Sequence, residues 1–432
     1  MPRRGGSVGR AASTAAGVKA RGLQGRWAFL LSVLGPAFVA SVAYVDPGNV
    51  AANLTAGARY GYLLVWVLVA ANLMAMLIQY LSAKLGVVTG RTLPELLGKR
   101  LRPAGRRLFW MQAEVVALAT DLAEVVGGAV ALRLLFGVPL PLGALAVGVV
   151  SMGILAIQDF RTQQKFEMAI VGLLTVITVG FLAGLALSPP SPAGVVGGLL
   201  PRFDGADSVL LAASMLGATV MPHAIYVHSA LSRDRHRPDP HTAVSERAIR
   251  RLLRGTRVDV VSALGVAGVV NLGMLLLAAA TLGGVDGTDS IEGAHAAIEH
   301  ALGQGVGVAF AVGLLASGLA STSVGSYAGA TIMEGLLERR IPLLLRRAIT
   351  LVPSVVVLAL GVDPTWALVV SQVVLSFGIP FALIPLIRLS TSPAVMGGFT
   401  LRLPLVVGSW LSAGFVVVLN IVLLWLTLSG SG

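Results

Sequence analysis

Apolar residues fill this chain in long blocks separated by short polar stretches. Eleven blocks cover about residues 29–57, 62–88, 107–135, 138–158, 166–188, 207–231, 257–282, 303–333, 343–361, 363–388 and 404–428. A helix of about 20 apolar residues spans the roughly 30 Å hydrocarbon core of a bilayer. Each block is therefore predicted as a transmembrane helix, which makes the expected fold class an all-α integral membrane protein.

Two blocks are interrupted. The first contains Asp46-Pro47-Gly48-Asn49, and the sixth contains Gly217-Ala218-Thr219-Val220-Met221-Pro222-His223. Proline and glycine break the helical hydrogen-bond ladder. Asp46 is the only carboxylate among the first 94 residues, and a carboxylate at lipid depth costs roughly 2.5–3.5 kcal/mol on insertion scales. A charge beside a deliberate break at mid-membrane points to a binding site. The broken blocks are five apart. Five is odd, so equivalent positions enter the membrane from opposite sides. The expected organisation is a basic tail over 1–28, a first five-helix repeat over 29–190 broken at 46–49, an inverted repeat over 205–388 broken at 218–222, and an eleventh helix over 404–428.

Composition and charge sharpen this picture. Charged residues make up 12% and hydrophobic residues 56%, with mean hydropathy +0.85; soluble domains carry about 25% charged residues. The net charge of +12 is explained by position. Segments 1–26, 84–107, 161–165, 233–257, 339–347 and 388–402 hold all of the 32 Lys/Arg except Arg59, Arg133 and Arg202. Such one-sidedness is the positive-inside pattern. It predicts a cell-membrane protein with a cytoplasmic N-terminus and an extracytoplasmic C-terminus, and it removes the reason to expect nucleic acid as a partner. With no cysteine, disulfides and thiolate metal sites are excluded. Segment 1–26 lacks a short apolar core with a cleavage site and reads as a disordered tail, not a signal peptide. Gly57/Gly61, Gly180/Gly184 and Gly325/Gly329 have the spacing of close helix contacts.

Breaking a helix frees backbone carbonyls that lipid cannot satisfy; a cation can. The first break offers the Asp46 carboxylate and the Asn49 amide oxygen, the second the Ala218 carbonyl and the Met221 thioether. Three hard oxygens and one soft sulfur suit Mn²⁺, Fe²⁺ or Cd²⁺, whereas Ca²⁺ and Mg²⁺ gain nothing from sulfur. The third block carries Glu114, Asp121 and Glu124. At about 100° per residue these share one stripe, either a proton relay or a salt-bridge row, with Arg346 and Arg347 as expected partners; Glu114 reads equally as an interfacial acid. His223 titrates in the useful range. His228 reads first as a packed, hydrogen-bonded histidine and Asn271 as a polar contact between helices; with Glu114 they are the further site candidates. His295 and His300, with Asp286, Asp289, Glu292 and Glu299, read as a solvated loop, and 233–257 as an amphipathic segment.

The paired motifs Asp46-Pro-Gly-Asn49 and Met221-Pro-His223 resemble the signature of the Nramp family of proton-coupled divalent-metal transporters, of the bacterial MntH type. The resemblance runs over about residues 34–425 and includes Gly35-Pro36-Ala37, Ala119-Thr-Asp121-Leu-Ala-Glu124, Tyr226-Val-His228-Ser229, Arg346-Arg347 and Ser371-Gln372. It implies a LeuT-like fold and import of Mn²⁺ and Fe²⁺ with protons by alternating access. It also implies a metal shell at Asp46, Asn49, Met221 and the Ala218 carbonyl, joined by Gln372 in some states. Proton movement is implied at Asp46, His223, Asp121, Glu124, Arg346 and Arg347. Many members carry Gly-Gln where this chain has Gly318-Leu319. Magnesium-transporting relatives lack the methionine. The expectation is a non-enzyme, functional as a monomer, with metal ions, protons and the bilayer as partners and no resident cofactor. A sodium-coupled amino-acid carrier of the same fold is the alternative. No His-Glu-x-x-His occurs to suggest a membrane hydrolase.

Overall fold

The computed structural model describes residues 35–160, 172, 175–176, 178–182, 184–236, 244–285, 287–339 and 341–429. The predicted tail over 1–28, the start of the first apolar block and much of 161–177 lie outside the described residues. Asp286 lies outside them as well. All regular secondary structure among the described residues is helical. The first block folds as α1 (Pro36–Val42), a 3-10 turn (Ala43–Val45) and α2 (Pro47–Tyr60). Then follow α3 (Val65–Thr89), α4 (Leu93–Gly98), α5 (Pro103–Phe136), α6 (Leu140–Phe160), α7 (Thr178–Leu187) and α8 (Pro192–Gly197). The second half comprises α9 (Gly205–Thr219), α10 (Pro222–His236), α11 (Glu246–Thr281), α12 (Ile291–Leu302), α13 (Gln304–Leu337), α14 (Leu343–Ala359), α15 (Pro364–Thr391), α16 (Pro393–Met396) and α17 (Leu403–Ser429). Seven helical spans are long and apolar enough to cross a membrane: α3, α5, the α9–α10 pair, α11, α13, α15 and α17. The other predicted blocks carry shorter helices.

The residues that break the two helices also start their second halves. Asp46 is the N-cap of α2, and Pro47 occupies its first turn. Asp at the cap and Pro at the first position are favoured helix starts. In the sixth block α9 stops at Thr219, Val220 leaves helical geometry (φ −107°, ψ 62°), and Pro222 opens α10.

Packing pairs the two halves. The α2 helix lies against α11 as α10 lies against α3, and α3–α11, α5–α13 and α6–α14 are also in contact. Replacing each block by the one five positions away turns the first contact into the second and leaves the other three unchanged. An internal two-fold relation produces this pairing. The contacts are close because the residues are small. A Cβ on Gly57 would lie 2.5 Å from the Leu275 carbonyl, and one on Gly86 would lie 2.2 Å from that of Ser229. Gly61 differs from its predicted role. It faces open space and ends α2 in a positive-φ turn (φ 56°), a geometry that glycine adopts without strain.

The predicted solvated loop beyond the seventh block is instead helical. The α12 helix buries Ile291, Ala294 and Ile298. His295 reaches the Gly307 carbonyl at 3.1 Å, and its ring lies tilted, 6.0 Å from that of Phe310. Its apolar i, i+3, i+7 spacing gives it one buried face. Residues 246–257 of the predicted cytoplasmic segment are a continuous extension of α11. Large apolar side chains such as Val149, Leu411, Val418, Ile421 and Trp425 are exposed, as a lipid-facing surface requires.

Candidate metal site

Asp46 Oδ1 accepts the Asn49 backbone N–H at 2.8 Å and the Asn49 side-chain amide at 2.7 Å. The same amide donates to the Ala218 carbonyl at 3.0 Å. The Thr219 hydroxyl donates to Asn49 Oδ1 at 3.4 Å. One side chain of the first break therefore bridges to the second. Carboxylate and carbonyl oxygens only accept, so the group between them must be a donor. The Asn49 NH₂ occupies the place between two oxygens that a cation would take. Asp46 Oδ2 is buried with no hydrogen-bond partner among the described residues. Met221, next to the break, is fully buried.

The tenth block closes the site. A Cβ on Gly48 would lie 1.9 Å from Gln372 Nε2, and a Cβ on Gly217 would lie 1.9 Å from the Gln372 carbonyl oxygen. Both broken helices thus press on one turn of α15 through glycines. Gln372 Oε1 is buried and unpartnered among the described residues. Asp46, Asn49, Ala218 and Gln372 are brought together, with Met221 in the same break as Ala218. No group of three or more His, Cys, Asp or Glu among the described residues is placed to hold a metal ion. The candidate set instead joins the single carboxylate of Asp46 to amide, carbonyl and thioether atoms.

The acidic row of α5 is paired as expected, with one difference. Arg346 meets both oxygens of Glu114, at 2.8 and 3.1 Å. Arg347 Nη1 lies 3.5 Å from Asp121, and its Nε donates to Ser151 at 2.9 Å. Glu124 accepts from the Ser321 hydroxyl at 2.6 Å. The α13 helix passes this row through small residues, since a Cβ on Gly325 would lie 3.1 Å from Glu124 and one on Gly329 2.2 Å from Arg346. The row reaches the site at its inner end. Gly127, one turn beyond Glu124, abuts Pro47, where an added Cβ would lie 2.0 Å from the ring. From the other break, His223 Nδ1 lies 3.2 Å from the hydroxyl of Thr120, beside Asp121.

A second polar cluster receives the carbonyls that the first break frees. Asn271 donates to the Tyr44 carbonyl at 2.6 Å and accepts from Asn53 at 3.1 Å. Ser317 donates to the Val45 carbonyl. His228 pairs with Gln79 at 2.7 Å, and Gln79 with the Tyr44 hydroxyl. His228 and Asn271 are both buried and hydrogen-bonded in this cluster. Sequence reasoning passed over Tyr44, Gln79, Asn53, Thr120, Thr219, Ser317 and Ser321. Their signal was a polar side chain in an apolar block, but the pairing partner is remote in sequence.

Beyond α2, a cavity of about 440 Å³ is lined by Arg59, Asp207, Asp289, Asp363 and Trp366 among others. Arg59 and Asp289 are 2.8 Å apart. The hydrogen bond from Arg59 holds the Asp289 carboxyl below its ordinary range.

A family profile described as Nramp, natural resistance-associated macrophage protein-like, matches residues 37–426. The chain is 58% identical over 399 residues to the divalent metal cation transporter MntH of Mycobacterium tuberculosis, covering 92% of both chains. It is 43% identical over 409 residues to the protein of that name from Bacillus subtilis, covering 94% of both. The Eremococcus coleocola manganese transporter superposes with TM-score 0.82 at 31% identity, over 92% of this chain and 86% of that one. Mhp1, a nucleobase-cation-symport-1 family transporter, shares the fold at TM-score 0.59 and 15% identity, over 92% and 93% of the chains. With its paired breaks, its polar row on α5 and a profile match over nearly all of the described helices, the chain belongs to the Nramp family of multi-pass membrane transporters.

Proposed function

We propose that this protein imports divalent transition metals, Mn²⁺ and Fe²⁺ and also Cd²⁺, together with protons, by alternating access across the cell membrane. The carrying observation is the Asn49 amide, which ties the Asp46 carboxylate of one break to the Ala218 carbonyl of the other. The metal is held by Asp46, Asn49, Met221, the Ala218 carbonyl and Gln372. To ligate, Asn49 turns its amide so that oxygen replaces nitrogen, and the cation takes over the two acceptors that the NH₂ bridges. Asp46 must be ionised to bind, so loading is linked to deprotonation. Protons leave through His223 and the row of Asp121 and Glu124, with Arg346 and Arg347 holding the compensating charge. The N-terminus is cytoplasmic and the C-terminus extracytoplasmic, in line with the distribution of Lys and Arg. The protein works as a monomer and needs no resident cofactor.

The names of the 58% identical relative and of the manganese transporter with the same fold support a metal cargo. A sodium-coupled amino-acid carrier fits less well. Such carriers leave the unwound backbone for a substrate carboxylate, and the buried Asp46 would repel it. Uptake into proteoliposomes decides between them. Mn²⁺ is expected to accumulate and to acidify the lumen, with Mg²⁺, Ca²⁺ and amino acids excluded. Sodium-dependent amino-acid uptake without Mn²⁺ entry would overturn the reading.

A further inference from the structure

The eleventh block stands outside the two repeats, yet its helix α17 reaches the turn that carries Gln372. Pro380 lies inside α15. A proline supplies no N–H to the carbonyl four residues before it, and its ring crowds that carbonyl. The carbonyl in question belongs to Ser376, a residue with no exposed surface, where neither water nor lipid offers a replacement donor. Asn420 of α17 supplies one. Its side-chain amide donates to the Ser376 carbonyl at 3.0 Å, and its Oδ1 accepts the Ser376 hydroxyl at 2.6 Å. The amide from a neighbouring helix thus replaces the missing rung of the ladder and adds a reciprocal bond.

Gln372 is one turn before Ser376. The turn between them is pressed by Gly48 and Gly217 from the broken helices and gripped by Asn420 from α17. We infer that Asn420 is a positioning residue for metal transport: by capping the carbonyl that Pro380 orphans, it holds the 372–376 turn so that Gln372 meets the metal. This rests on the reading of Gln372 as a ligand. It gives the added helix a part in transport besides contact with lipid.

Mn²⁺ uptake kinetics in proteoliposomes at matched protein content test it. Asn420→Leu is expected to raise KM about tenfold, the scale for residues that orient metal ligands. Gln372→Ala is expected to raise KM as well, with no further rise when Asn420→Leu is added to it. Pro380→Ala restores a backbone N–H for the Ser376 carbonyl, so combining it with Asn420→Leu is expected to bring KM back toward the wild-type value. A bulk loss of folding does not produce that rescue. If Asn420→Leu fails to insert, Asn420→Asp replaces it. A carboxyl there either stands ionised against the Ser376 carbonyl or, if protonated, donates to it in place of the amide, so the ionised form gives the Asn420→Leu result and the neutral form gives the wild-type one. An unchanged KM in Asn420→Leu, effects of Asn420 and Gln372 that multiply, or a failed rescue each overturn the proposal. Gln372→Ala without effect on KM sinks the ligand reading and this proposal together. A costly Gln372→Ala beside a silent Asn420→Leu sinks this proposal alone.

Discussion

Asp46 serves two purposes that one substitution separates. It caps α2 through its bonds to Asn49, and it is the only carboxylate in the proposed metal shell. Asparagine caps a helix about as well as aspartate but brings no charge to offset cation dehydration. Asp46→Asn is therefore expected to insert normally and to lose nearly all Mn²⁺ uptake at every pH. Normal uptake by the inserted protein would remove Asp46 from the site. As a proposed ligand, Met221 is expected to contribute selectivity more than strength. In Met221→Ala a water can stand where the sulfur was, giving an all-oxygen shell that Ca²⁺ and Mg²⁺ accept. Competition by these ions is expected to appear and Cd²⁺ binding to weaken. A mutant that still ignores excess Ca²⁺ and Mg²⁺ would show that the sulfur is not the filter.

The helices meet at the site through glycines, and the geometry separates glycines that carry function from those that do not. Gly217 touches backbone, so a Cβ there cannot be relieved by rotating a side chain; α9 or α15 must move. Overpacking of this kind costs about 1–3 kcal/mol, and here the shift also displaces Gln372. Gly217→Ala is expected to lower thermal stability and sharply reduce Mn²⁺ uptake. Gly153, with nothing near its ideal Cβ, is the control, and Gly153→Ala is expected to change neither. Equal behaviour of the two variants in a thermal-shift and uptake comparison would refute the close-approach argument.

Coupling belongs to the whole molecule. Two positive charges entering through 100 mV gain about 4.6 kcal/mol, so metal entry alone does not need protons. In the proposed cycle they move because metal binding displaces the proton of Asp46. Glu124 is the cleaner probe of this relay, since its bonded partner is the neutral Ser321. Removing Arg347 strands the buried Asp121 beside it, and an uncompensated buried charge costs about 3–5 kcal/mol. Glu124→Ala is expected to depress proton uptake and flatten the pH dependence of transport, with metal affinity within about tenfold of wild type. Parallel recording of Mn²⁺ entry and internal pH in the same vesicles checks it. Lost affinity at an unchanged proton-to-metal ratio would assign Glu124 to the binding site instead.

Much of the molecule follows from local sequence, because membrane burial leaves few choices. An apolar block must be a helix to satisfy its own backbone, and a proline or glycine inside it must break that helix. The two breaks, the helical class, the acidic stripe on α5 and the four candidate ligands at the breaks were legible on those grounds, whereas Gln372 came only from the family resemblance. The basic pair Arg346-Arg347 pointed to α5 because buried acids need cations. Tertiary structure decided what depends on remote partners. It made Asn49 the bridge between the breaks and gave Glu124 a serine instead of an arginine. It folded residues 291–302 into a docked helix and brought Asn420 to the carbonyl orphaned by Pro380. A hydroxyl or amide in an apolar block shows only that some partner exists. Which partner it finds is set by how helices come to lie side by side, 44 residues apart for Asn420 and Ser376 and 227 for Asn271 and Tyr44, and no local pattern encodes that.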